Sequence, residues 1–436
     1  MTLGLIAMSG VRADDEELTK LGLTLPGFVE RNKTIASLPS LGLLTLAALT
    51  PKNFDISYLD IDNFEEDDKL PPLYDVVAIS TFTAQIKQAY QLADKYRDMG
   101  TTVIMGGLHV TAMPDEALMH ADAILLGEGE LAWKDIMDDI QNNCLKSIYD
   151  VRGQNFDMKN SPMPRFDLLE IEKYNRLTVQ TQRGCPLSCD FCASSIRISP
   201  KFKVKPIEKV IAEIEYIKTM WDKPFIEFAD DNTFADKKHA KKLLKAMIEV
   251  NVKWFTETDI SIAYDDELLL LLKESGCVQV LIGFESMSQM ALNGLEMNSN
   301  WKAKQVDKYF EAIQKIQSHG ITVNGCFILG LDGVGISSFN EVLDFVEKSA
   351  LYEVQITLLT PFPGTPLYER LKEENRLIDE KAWEKCTLFD VNFKPDSMSV
   401  DELRGNFKLL VQKLYNKEST NKRQKKYRNN LRKNIS

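Results

Sequence analysis

No stretch of about 18 uncharged apolar residues occurs in the 436-residue sequence, which excludes a conventional membrane-spanning helix. The opening Met1-Thr2-Leu3-Gly4-Leu5-Ile6 lacks the basic start of a secretory leader, so the expected location is the cytoplasm. Cysteine is sparse. There are seven, three of them in one short stretch, which speaks against a disulfide framework and for metal binding in a reducing compartment. Positive charge is scarce over most of the chain. The net charge is −11, yet the segment from Lys413 to Ser436 carries nine Lys and Arg against the single Glu418, which leaves −19 on the preceding body. An acidic body argues against general nucleic-acid binding, and the basic end reads as a solvated, partly disordered tail. No close repeat is present beyond a βα rhythm.

The length predicts two or three domains, and 44% hydrophobic residues can fill their cores. Apolar runs over Leu3–Met8, Leu41–Leu49, Ile56–Ile61, Val76–Ser80, Ile86–Tyr96, Thr102–Met105 and Ala123–Leu126 alternate between strand-like and helix-like patterns. That rhythm predicts an α/β, doubly wound, Rossmann-like domain over residues 1–145, with any ligand beyond the carboxyl ends of its strands. The loops there are Thr81-Phe82-Thr83-Ala84-Gln85, Gly106-Gly107-Leu108-His109-Val110-Thr111 and Gly127-Glu128-Gly129-Glu130. Their small residues allow a bulky ligand close to the backbone. Periodicity then fades, and Ser161-Pro162-Met163-Pro164 marks an extended linker over 146–176. A second alternation follows. Strands near Leu177–Thr181, Ile226–Phe228, Trp254–Glu257, Val278–Gly283, Val323–Leu329 and Val354–Leu359 predict a partial (β/α)6 TIM-type barrel over 177–362. A helical cap over 363–415 and the basic tail over 416–436 complete the expected layout.

Cys185, Cys189 and Cys192 follow the first barrel strand at CxxxCxxC spacing. Thiolates so close together can face inward on one loop and hold three corners of an iron–sulfur cubane, leaving the fourth iron open to a ligand. The competing reading is a zinc knot completed by Cys144, Cys277, Cys326 or Cys386, although zinc usually gathers CxxC pairs. Cys277 and Cys326 otherwise read as core residues of apolar strands. Polar residues cluster at the later strand ends, in Asp230-Asp231-Asn232, Gly283-Phe284-Glu285-Ser286 and Gly330-Leu331-Asp332-Gly333. Asp230 and Asp231 also suit the N-cap of a helix from Ala235. Glu285, just past an apolar strand, needs a partner if buried.

The CxxxCxxC segment, with Phe191 before its third cysteine, resembles the radical S-adenosylmethionine (SAM) family. The resemblance implies a 4Fe-4S cluster on Cys185, Cys189 and Cys192, SAM chelated at the open iron, and cleavage of SAM to a 5′-deoxyadenosyl radical. It places Phe191, Asp230, Asp231 and Glu285 near SAM, with the acidic run at the ammonium and Glu285 at the ribose hydroxyls. The N-terminal loops resemble a cobalamin-binding domain. That implies contacts to cobalamin from Thr81, Thr83, Gln85, Gly106, Gly107, His109, Thr111, Gly127, Glu128 and Gly129. Domains that supply a histidine to cobalt use DxHxxG, whereas Gly107 and Ala112 stand at the Asp and Gly positions here. His109 is therefore expected to touch a loop or the corrin edge, not cobalt. The Pro-Arg-Phe-Asp junction and Thr360-Pro361-Phe362-Pro363-Gly364-Thr365-Pro366-Leu367-Tyr368 are similar to segments of hopanoid methylases and anaerobic tetrapyrrole cyclases. This subgroup implies an enzyme that transfers methyl to an unactivated carbon of a small, lipid-like or tetrapyrrole-like substrate, with flavodoxin or ferredoxin as electron donor. The alternatives are a radical cyclase, oxidase or rearrangement catalyst, or a sensor of cobalamin or redox state without turnover.

Overall fold

In the computed structural model, the structure describes residues 1–8, 13–20, 38–64, 72–193, 199 and 201–435. Runs such as Val76–Ile79 are apolar at consecutive positions, as strands covered on both faces must be. They assemble a first sheet from β1 (Thr2–Met8), β2 (Asp55–Asp60), β3 (Val76–Thr81), β4 (Thr102–Gly106), β5 (Ala123–Leu126) and β6 (Ile148–Asp150). All neighbours pair in parallel, in the order β2-β1-β3-β4-β5-β6. The strand order reverses between β1 and β3, and ligands of such sheets bind at the reversal, beyond the carboxyl ends. The edge strand β6 lies inside the stretch expected to be linker. The rest of that stretch is short 3-10 turns, including Phe166–Leu168 and Ile171–Lys173.

The second sheet contains β7 (Leu177–Val179), then, past a small antiparallel hairpin of β8 (Gln182–Arg183) and β9 (Lys203–Val204), β10 (Phe225–Phe228), β11 (Lys253–Thr258), β12 (Cys277–Glu285), β13 (Thr322–Leu329) and β14 (Glu353–Leu358). Its order, β14-β13-β12-β11-β10-β7, is sequential and parallel, with β7 and β14 as open edges. It is the six-stranded partial barrel expected. Val280, Ile282 and Phe284 of β12 pack outward with helix residues such as Leu268 and Ile313. Alternation then turns Gln279, Leu281 and Gly283 to the interior of the barrel.

Caps hold the helices in place. Asp236, not Asp230 or Asp231, caps the helix Lys237–Val250 by accepting from His239 N at 3.0 Å. Thr365 caps Pro366–Glu373, where a proline in the first turn forfeits no hydrogen bond. Ser399 and Glu402 form a capping box at Val400–Tyr415. The cap also packs on the first domain, because Tyr368, Trp383 and Cys386 share a core with Ile6, Met8 and Met105.

The basic end differs from its expectation as a partly disordered tail. Lys417–Ile435 is a helix whose buried Arg423 donates to the Leu414 carbonyl at 2.6 Å, while Tyr427 meets Tyr352 edge-on at 5.2 Å. Its charges neutralise acceptors on the body, and Lys426 reaches the last carbonyls of helix Ser337–Ser349. Charge counting missed the apolar and aromatic residues spaced along this helix.

Candidate active site

The cysteine loop leaves the carboxyl end of β7 and is braced on several sides. Asp230, at the end of β10, is buried and accepts from Thr181 N at 2.8 Å, Thr181 Oγ1 at 2.5 Å, Gln182 N at 3.1 Å and Thr233 Oγ1 at 3.0 Å. Burial outweighs these bonds and raises its carboxyl to about 6. Asp230 is thus a brace of the loop, which corrects its reading as a SAM contact. Further along, Asp190 N donates to the Leu295 carbonyl and Met297 N to the Ser188 carbonyl, at 3.0 and 2.9 Å. Between them, buried Glu296 accepts from Asn298 N, Ser299 N and Ser299 Oγ at 2.6–3.0 Å. Burial pushes its carboxyl up, but the hydrogen bonds prevail and hold it near 2. The cap contributes Arg370, which bridges Asp190 at 3.4 Å and Asp332 at 2.6 Å. Sequence reading had no signal for Glu296 or Arg370, since the cysteine loop that each braces lies more than a hundred residues away in the chain.

Of the three thiols, Cys189 is buried and Cys185 and Cys192 are half-buried. Burial raises Cys185 to about 11 and Cys189 to about 12, and each thiol bears electrostatically on the others. Such thiols keep their protons until a metal displaces them. Among the described residues no three Cys, His, Asp or Glu side chains are drawn together as a closed ligand set. Cys277 is core, as expected. Cys326 is not. It is half-exposed on β13, facing the barrel interior, where Glu285, Glu257 and Lys302 bear on its thiol.

The barrel mouth holds several carboxylates. Glu285 has φ +61° at a register shift between β12 and β13, a bulge that re-aims its side chain. Lys302 Nζ lies 2.6 Å from its Oε1 and 3.0 Å from the Gly283 carbonyl oxygen. A Cβ at position 283 would run into Glu285 Oε1, so a larger residue there would push the carboxylate away from its present place beside Lys302. The partner that burial demanded is Lys302, which no motif announced. Asp231 is exposed and bears on both Cys185 and Glu257. Glu257, on β11, is reachable by solvent yet hemmed in by protein. That confinement, followed by repulsion from Glu227, Asp231 and Glu285, raises its carboxyl to about 8. Phe191 is partly buried against the barrel core.

The expected N-terminal contacts divide. Thr81, Thr83, Gly106, Gly107, Gly127 and Gly129 lie at or just beyond the carboxyl ends of the adjacent strands β3, β4 and β5. Gly107 has φ +108°, open to glycine, and a Cβ there would have Ser80 Oγ at 3.6 Å as its nearest neighbour. Phe82, 54% exposed, offers an apolar face at the same edge. Four residues point elsewhere. Gln85 is buried and donates to the Asp62 carbonyl at 2.7 Å, and Thr111 Oγ1 accepts from Gly127 N at 3.2 Å. His109 is buried edge-on to Trp383 at 5.2 Å, with Nε2 3.7 Å from Glu116 Oε1. Glu128 is wholly buried and accepts from Arg183, Lys203 and Phe156 N. Tertiary partners thus occupy the polar groups of Gln85, Thr111 and Glu128, whereas His109 is withdrawn by burial, with neither ring nitrogen hydrogen-bonded.

Comparison with known proteins matches the Radical SAM superfamily over residues 179–346, a B12 binding domain over 33–136, and a domain of unknown function, DUF4070, over 365–436. Bacteriochlorophyllide d C-12(1)-methyltransferase of Chlorobaculum tepidum is 30% identical over 391 residues, covering 88% of this chain and 84% of that protein. The chain belongs to the cobalamin-binding radical SAM enzymes. Hopanoid C-2 methylase of Rhodopseudomonas palustris is 27% identical, covering 79% of this chain and 66% of the relative. The fold is also that of TsrM from Kitasatospora setae, solved with cobalamin and a [4Fe-4S] cluster, with a TM-score of 0.64 at 15% identity over 86% of this chain and 75% of that one.

Membership of these enzymes brings a 4Fe-4S cluster, SAM and cobalamin as cofactors. The residues present fit them. Three soft sulfurs share one loop whose remaining contacts are met by protein, which suits a cluster with an open iron. Glu285 pairs with Lys302 at the mouth, and the carboxylates that raise Glu257 there give a negative field that suits the positive sulfonium and ammonium of SAM. Glycine backbone and Phe82 at the first sheet's edge suit the flat face of a corrin, while the burial of His109 leaves no imidazole presented there.

Proposed function

We propose that this chain is a cobalamin-dependent radical SAM methyltransferase, acting on an unactivated carbon of a small, apolar substrate of lipid or tetrapyrrole type. The observation that carries the reading is that the carboxyl edge of the first sheet meets the cysteine loop of the second, through Glu128, Glu130 and Arg183. A methyl donor and a radical source must lie close together, and this contact joins the two loops assigned to them. When bound, the three cofactors supply the radical, the electron and the methyl group. The protein's residues do the rest. Cys185, Cys189 and Cys192 would hold the cluster. Asp231 and Glu285 would orient SAM by accepting from its donors, and Phe191 would close the apolar side of that site. Thr81, Thr83, Gly106, Gly107, Gly127 and Gly129 would seat the corrin.

Boundaries just past β6 near 150, then near 176 and 362, divide the chain into cobalamin domain, connector, barrel and cap. A cytoplasmic setting fits the absence, among the described residues, of any helix long and apolar enough to cross a membrane. A flavodoxin or ferredoxin would supply the electron. Tetrapyrrole cyclisation is the second reading, because anaerobic magnesium-protoporphyrin IX monomethyl ester cyclase of Rubrivivax gelatinosus is 24% identical over 76% of this chain.

Anaerobic reconstitution with iron, sulfide and hydroxocobalamin, then incubation with methyl-labelled SAM and a chlorin panel, tests the proposal. Formation of 5′-deoxyadenosine with label in a chlorin carbon is expected. A new ring without label would favour the cyclase, and no 5′-deoxyadenosine with any substrate would overturn both.

A further inference from the structure

The Gly127-Glu128-Gly129-Glu130 turn follows β5 of the first sheet, and Arg183 stands two residues before Cys185. Arg183 Nη1 lies 2.8 Å from Glu128 Oε1, and its Nη2 lies 2.7 Å from Glu130 Oε1. The same Glu128 carboxylate takes Lys203 Nζ at 2.5 and 2.6 Å and Phe156 N at 2.8 Å. Lys203 belongs to the hairpin strand paired with Gln182–Arg183, and it also reaches the Phe156 carbonyl at 2.9 Å. Gln180 Oε1 takes the remaining reach of Arg183 at 2.9 Å. Two carboxylates thus meet two cations, and Glu128 is fully withdrawn from solvent.

Buried ion pairs are poor sources of stability, since desolvation offsets most of their attraction. They are good sources of geometry. A guanidinium gripping two carboxylates, one of them held by two other donors, admits one orientation, whereas an apolar contact of the same size tolerates sliding. The network also joins one of the loops that would seat the corrin to the loop that would hold the cluster, which the proposed function requires in register.

We propose that Glu128, with Arg183 and Lys203, is a positioning element: it fixes the corrin-bearing edge of the first sheet relative to the cluster loop. The proposal rests on the functional reading above, and it replaces direct contact between Glu128 and cobalamin. Glu128→Gln keeps the shape of the side chain but leaves two buried cations with one carboxylate. Lys203→Met removes one cation from the hairpin and is the second variant should the first fold poorly.

The holoprotein, reconstituted with iron, sulfide and hydroxocobalamin and reduced until cobalt and cluster are both paramagnetic, is examined by pulsed electron paramagnetic resonance. Iron and cobalamin contents are expected to stay at wild-type levels while the cobalt-to-cluster distance distribution broadens. In apoprotein, amide exchange over 127–131, 153–157 and 181–193 is expected to rise together, by about tenfold or more. An unchanged distance distribution and unchanged exchange overturn the proposal. Loss of cobalamin from Glu128→Gln with unchanged exchange overturns it too and returns Glu128 to the corrin. Wild-type protein that takes up no cobalamin removes the functional reading instead. The exchange measurement, which needs no cofactor, then judges the contact on its own.

Discussion

Lys302 Nζ sits 2.6 Å from Glu285 Oε1, and the two side chains face each other where Gly283 leaves room and Glu285 adopts a left-handed backbone at φ +61°. The pair stands beside Cys189, whose thiol both groups influence. Glu285→Ala removes one acceptor for SAM and no iron ligand. We expect SAM affinity, measured anaerobically by equilibrium dialysis, to fall about ten- to a hundredfold, the cost of a hydrogen bond to a charged group, with full iron content. Unaltered affinity would make the pair purely structural.

Replacing Cys185, Cys189 and Cys192 together by Ala should abolish iron binding and the brown colour of the reconstituted protein, which otherwise carries about four irons per chain. Cys277→Ala should leave both intact, because Cys277 is core.

Asp230 tests the brace of the cysteine loop. Its carboxyl is raised from 3.8 to about 6, so the stability tied to its protonated form is complete below pH 3.8 and lost as pH rises through 6. Asp230→Asn cannot ionise. Its urea unfolding free energy should therefore fall less steeply between pH 4 and 6 than that of wild type, by roughly 2 kcal/mol over the interval. At pH 7.5 the variant should lose iron faster to a chelator, since an amide nitrogen in place of Oδ2 cannot accept from the Thr181 and Thr233 hydroxyls.

Glu257 carries the other large shift, to about 8, from confinement and then from repulsion by neighbouring carboxylates. Its protonated form is favoured in the folded protein, so stability from this group is present below pH 4.5 and is lost as pH rises through 8. Ionisation above pH 8 adds a negative charge where the SAM cation is proposed to bind. SAM affinity should rise from pH 7 to 9 in wild type and stay flat in Glu257→Gln. Parallel profiles would remove Glu257 from the site.

Truncation after Asn416 tests the docked basic helix. Loss of Arg423 and Tyr427 exposes Tyr352 and the end of helix Ser337–Ser349, so the melting temperature should drop by several degrees. Iron and cobalamin uptake should persist. An unchanged melting temperature would restore the view of a loose tail.

Both parallel sheets were legible in the chain because strands covered on both faces are written as apolar runs, such as Val76–Ile79 and Cys326–Leu329, at βα spacing. The cysteine triad was legible for a similar reason, since ligands on one loop are neighbours in sequence. Glu285 was marked by its place after an apolar strand. Single carboxylates were less well marked. Asp230 and Asp231 are adjacent and chemically alike, yet one is buried under Thr181 and Gln182 and the other faces solvent near Cys185.

What the sequence determined by itself was everything set by local period and local spacing: the two βα series, the cluster loop, the family. Tertiary structure alone decided which polar side chains remain available for ligands. Glu128 and His109 sit in the loop motifs that suggested a corrin, but partners from residues 156, 183, 203 and 383 engage them. Hydrogen bonding and desolvation are settled by whichever groups arrive in space, and for these residues the groups come from parts of the chain that no local pattern connects.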